Sequence, residues 1–110
     1  MSTNDVLRHS ELDDLFQLIL KMETLEDCAV FFEDLCTMKE LHAMAQRLKV
    51  AKMLLEGTTY EQIKQQVDIS TATISRVNRC IQYGTGGYQT MVARTNEQET
   101  KEKLKVSNIF

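Results

Sequence analysis

Proline is absent from the sequence, and glycine occurs at only four positions: Gly57 alone, and Gly84, Gly86 and Gly87 together. Long stretches therefore run without a residue that breaks helical backbone, which predicts an all-α chain. Cysteine is scarce and odd in number. Cys28, Cys36 and Cys80 form no CxxC pair, and His9 and His42 lie far from them, so no zinc-ligand spacing is present and the thiols read as small hydrophobes. No run approaches the roughly 20 apolar residues of a membrane span, and "MSTNDVLRHSELDD" has no basic segment leading into an apolar one. The expectation is a cytoplasmic protein with reduced thiols, no membrane attachment, no metal and no cofactor. No close grouping of His, Cys and acids recurs on one helical face, so an enzyme is not expected.

What is present is unevenly distributed charge. The net charge is −3, yet residues 1–38 carry nine acids against Arg8 and Lys21, whereas residues 39–79 hold seven basic residues against Glu40, Glu56, Glu61 and Asp68. Exposed charges are screened beyond about 8 Å, so a basic face can meet phosphate while an acidic end stays away. The 110 residues amount to one small domain with a modest core, for which a partner subunit is an expected source of further burial.

Apolar periodicity divides the chain into about six helices. The first begins near residue 3 or near residue 11 and is apolar on more than one face (Leu12, Leu15, Phe16, Leu18, Ile19), which implies burial on several sides. The second follows Thr24, with Ala29, Phe32, Leu35 and Cys36 directed inward. "TMKE" at 37–40 has the spacing of a capping box and opens a third helix that ends at Gly57, with Leu41, Met44, Ala45, Leu48, Ala51, Leu54 and Leu55 as its apolar side. "TYEQ" at 59–62 is a second capping box, opening a short fourth helix to about Val67. Ser70 caps a fifth that reaches Gln82 or Tyr83, and a sixth begins near Tyr88. Residues 96–110 mix charges and read as a frayed helix or tail.

The fourth and fifth helices are about three residues apart, and Ile63, Val67, Ile69, Ile74 and Val77 repeat at spacings of 4, 2, 5 and 3. Two short helices that bury one small shared cluster form a helix-turn-helix. Asp68 stands at the turn, where positive φ and glycine are usual. The segment "DISTATISRVNR" at 68–79 is a poor intrinsic helix former, but with Ile74 and Val77 inward its other side displays Thr71, Ala72, Thr73, Ser75, Arg76 and Arg79. Small hydroxyl side chains allow close approach to base edges in a major groove, and methyl groups can touch thymine. Arg79, Lys64 and Lys49 suit phosphate contacts, which position without specifying. Spacing alone equally allows an ordinary helical bundle with a solvated Ser/Thr face.

From Thr37 to about Ile81 the sequence resembles the Trp repressor superfamily, in particular its Trp-repressor-like branch from Gram-positive bacteria. The resemblance rests on T-x-x-E at 37–40, Arg47, "LLEG" at 54–57, "IK" at 63–64 and "ATISR" at 72–76. It implies an intertwined homodimer bound to double-stranded DNA, with 1–56 as dimerisation core, 57–83 as helix-turn-helix and 84–110 as C-terminal helix and tail. It also implies DNA contacts from Lys64, Thr71, Ala72, Thr73 and Ser75, and a corepressor site that includes Thr37, Arg47 and Arg76. Val77 and Cys80 fall in that site where the family has glycine and serine. The added isopropyl volume and the weak hydrogen bonding of a thiol argue against tryptophan, leaving a smaller anion or no effector. The resulting expectation is a dimeric repressor reading a palindromic operator. The alternative is an acidic helical module that docks on another protein.

Overall fold

A computed structural model describes residues 10–109. Six helices and no strands are found among them: α1 (Ser10–Ile19), α2 (Leu25–Leu35), α3 (Met38–Leu55), α4 (Tyr60–Gln66), α5 (Thr71–Tyr83) and α6 (Gly87–Ile109). A helix start near residue 3 lies outside the described residues. The chain forms two compact units, and the boundary between them falls inside α3, between Leu41 and His42.

In the first unit, Thr24 starts α2: its Oγ1 accepts from the Asp27 N–H at 3.0 Å. The Glu23 N–H in turn donates to Asp27 Oδ2 at 3.0 Å, and this bond, with those from Thr24, holds the Asp27 carboxyl below the usual carboxylate range against the opposing effect of desolvation. The reciprocal box at the start of α3 is complete. The Glu40 N–H donates to Thr37 Oγ1 at 3.1 Å, and the Thr37 N–H to Glu40 Oε2 at 3.0 Å. Neither α1 nor α2 contains a fully buried residue. Phe32 and Cys36 are half-buried, but Ala29 and Leu35, expected inside, are exposed, as are Phe16, Leu18 and Val30. Two helices of 10 and 11 residues cannot enclose one another's apolar surface on every side.

The second unit has a core. Val50, Ala51 and Met53 of α3, Ile63 of α4, Val67 just after it, and Ile74 and Val77 of α5 form one buried cluster, with Leu54, Tyr60, Ile69, Ile81 and Tyr88 packed at its margin. The apolar side expected for α3 is borne out at Ala51 and Leu54 and corrected at Met44, Leu48 and Leu55. At 3.6 residues per turn, Val50 and Met53 lie well round the helix from Met44, Leu48 and Leu55, while Ala51 and Leu54 sit between the two groups and are drawn into the cluster. The former face meets the helix pair; Met44, Leu48 and Leu55 remain 37–42% exposed. α3 therefore has two apolar faces, and periodicity does not rank them.

Helix ends follow local chemistry. Gly57 has φ +87° and closes α3 in a Schellman arrangement, with the Thr58 N–H donating to the Met53 carbonyl at 2.9 Å and the Gly57 N–H to the Leu54 carbonyl at 3.0 Å. At Gly84, a Cβ would run into the Cys80 carbonyl oxygen, so only glycine lets α5 end there. α6 continues as helical backbone to Ile109, over most of the charged segment read as a frayed helix or tail.

Ile74 is fully buried at the centre of the cluster, so Ile74→Ala should destabilise the chain by about 2–5 kcal/mol through lost transfer energy and the cavity it leaves. Urea unfolding monitored by circular dichroism checks this.

Candidate nucleic-acid interface

The helix pair is built from the turn outward. Thr59 and Gln62 exchange both capping-box hydrogen bonds, at 3.2 Å and 3.1 Å, and fix the start of α4. α4 ends where Val67 turns to extended backbone (φ −129°, ψ 130°) and buries its side chain. Ser70 is extended too, and its Oγ accepts from the Thr73 N–H at 3.2 Å to start α5. No residue other than glycine has positive φ among those described, which corrects the expectation for Asp68: the turn, bounded by extended Val67 and Ser70, needs no left-handed position. Its carbonyl oxygen is engaged, accepting from Gln46 Nε2 of α3 at 3.3 Å.

With Ile74 and Val77 buried, the opposite face of α5 is open. Thr71, Ala72, Arg76 and Arg79 are exposed, while Thr73 and Ser75 are half-buried. The Thr73 hydroxyl lies 2.9 Å from Ser70 Oγ, so part of its hydrogen-bonding capacity is used within the cap. Lys64, exposed on α4, donates from Nζ to Thr71 Oγ1 at 3.1 Å and joins the two helices at the first turn of α5.

Among the residues expected to hold an effector, Arg76 and Cys80 border a shallow hollow of about 280 Å³ together with Arg79, Tyr83 and Gly84. Val77 is not open to solvent; it is 1% exposed within the cluster. Arg47 is half-buried on α3. Thr37 belongs to the first unit, and its hydroxyl is engaged by the Glu40 N–H.

Two features escaped the sequence reading. Gln46 shares the α3 face of Val50 and Met53, and a polar residue in register with that stripe was the one available signal. The Lys64–Thr71 bond links residues seven apart on different helices, a pairing that no periodicity describes.

No helix among the described residues is long and apolar enough to cross a membrane. Residues 10–96 match the family model described as Trp repressor protein. The chain is 50% identical over 101 residues to the uncharacterised protein YerC of Bacillus subtilis, covering 92% of this chain and 97% of that one. Among solved structures, a candidate Trp repressor from Staphylococcus aureus superposes with a TM-score of 0.81 at 46% identity, covering 87% of this chain and 96% of the other. A TrpR-like protein from Eubacterium eligens gives 0.80 at 43% identity, covering 84% and 95%. Proteins of this family are DNA-binding regulators, not enzymes, and the chain belongs to the Trp repressor family.

Proposed function

We propose that the protein is a homodimeric transcriptional repressor that reads a palindromic operator in double-stranded DNA, with α5 in the major groove. The observation that carries this reading is the outer face of α5: small, hydroxyl-bearing and basic, and backed by a cluster that holds it against α3 and α4. Thr71, Ala72, Thr73 and Ser75 approach base edges, and Arg79 contacts phosphate. Dimerisation is supported by the first unit, whose two helices bury no residue fully, and by the open apolar face of α3 at Met44, Leu48 and Leu55. Apolar surface on this scale on a small chain is best accounted for by a second copy.

DNA binding is proposed to proceed without tryptophan. Val77 occupies buried space beside Ile74 and Val50, so one of the five residues of an effector site serves the fold instead. A small anion between Arg76 and Arg79 is the form of effector that the exposed hollow can accommodate.

The acidic module that docks on another protein is the second reading. It is supported by the hollow of about 540 Å³ in the first unit, where Leu18, Met22, Val30 and Phe31 are rimmed by Glu26, Asp27 and Asp34 against a single cation, Lys21.

Selection from a random duplex library at about physiological salt should enrich a palindrome with half-sites about 10 base pairs apart; enrichment of no sequence, with capture of protein partners that survives nuclease treatment, would favour the acidic module. Arg79→Ala should weaken binding to operator and unrelated DNA alike and lower the salt slope by about one, as fluorescence anisotropy at several salt concentrations will measure. Val30→Glu places a charge on the exposed apolar surface of α2 and should shift the sedimentation equilibrium from dimer towards monomer.

A further inference from the structure

We infer that Lys64 and Thr71 act together as a two-donor unit that selects guanine in each half-site, so that Lys64 specifies sequence and is more than a phosphate contact. The inference rests on the operator-reading function proposed above and names a base that function must read.

Lys64 Nζ carries three donors and no acceptor, and one donor goes to Thr71 Oγ1 at 3.1 Å. The ammonium keeps two N–H groups. The threonine hydroxyl, accepting from a cation, keeps its own O–H to donate, and the adjacent positive charge disfavours the approach of any further donor. The pair thus presents an N–H and an O–H about 3.1 Å apart on side chains that are both exposed.

A partner for such a unit must offer two adjacent acceptors. In the major groove only guanine does so, through N7 and O6. Adenine sets an amino donor beside N7, thymine sets a methyl beside O4, and cytosine presents a donor. The two guanine acceptors are spaced much as the two protein donors are. Two phosphate oxygens could also serve, but position favours the base. Thr71 is the first residue of α5, and the N-terminal residues of a recognition helix are those that reach base edges. The contact is also preorganised: Ser70 fixes the start of α5 and the capping box of Thr59 fixes α4, so both stems leave defined backbone.

Random-duplex selection with the wild type, Thr71→Val and Lys64→Met tests the inference. Valine keeps the β-branched shape and methionine keeps much of the stem at exposed positions, so thermal unfolding of both variants should match the wild type. The wild type is expected to enrich guanine at one fixed position in each half-site. Both variants should lose that preference and bind the selected operator roughly tenfold more weakly or worse, the effect of losing a bidentate base contact. Placing 7-deazaguanine at that position, which deletes the N7 acceptor alone, should reproduce the loss for the wild type and cost little more for one of the two variants, identifying whether Lys64 or Thr71 faces N7. If the wild type selects a palindrome but both variants keep its base preferences, or weaken on every sequence alike, the pair grips phosphate; guanine selection is then overturned while operator reading stands. If the wild type selects no sequence, both fall.

Discussion

The structure depends on one small apolar cluster. Ile63, Ile74 and Val77 meet Val50, Ala51 and Met53 in a space from which water is excluded, and that contact fixes where α4 and α5 lie. Neither helix would persist alone: α4 has 7 residues and α5 has 13, many of them Ser, Thr and β-branched, and isolated helices of such length are marginal in water. Burial supplies what propensity lacks. Because the inward side of α5 satisfies the core, its outward side can be chosen for what it displays rather than for helix formation. Poor helix propensity and an exposed, hydroxyl-rich face are therefore two aspects of one arrangement.

Charge is organised by the same division of labour. The acidic residues gather before Lys39, in the unit whose helices bury nothing fully, and the basic ones occupy α3, α4 and α5 around the buried cluster. Exposed charges are screened over about 8 Å, so the potential at the surface of α5 is set chiefly by its near neighbours and not by the net charge. A net negative protein can thus belong to a family of DNA-binding regulators.

Much of the fold was legible because helix ends are local. The capping boxes at Thr37 and Thr59, the cap at Ser70 and the stop at Gly57 each depend on residues no more than five positions apart, and each forms as its spacing predicts. The cluster of the helix pair was legible for a related reason, since Ile63, Val67, Ile74 and Val77 follow helical and turn spacing closely. The apolar face of α3 was legible only in part, at Ala51 and Leu54. Two stripes of similar hydrophobicity share that helix, and which one is covered depends on what packs there. Asp68 was misjudged because the turn's dihedral angles follow from where α4 and α5 are held, not from the residue type at its centre.

The sequence by itself determined the number of helices, most of their ends, the family and the chemistry carried by α5, because these rest on periodicity and on contacts within one turn. Tertiary structure alone decided three things: that Val77 is enclosed, that Gln46 holds the carbonyl of Asp68, and that Lys64 meets Thr71. Each joins residues on different helices, and a distance across helices is set by how their side chains fill the space between them. That quantity belongs to the packed core as a whole and is written in no short stretch of sequence.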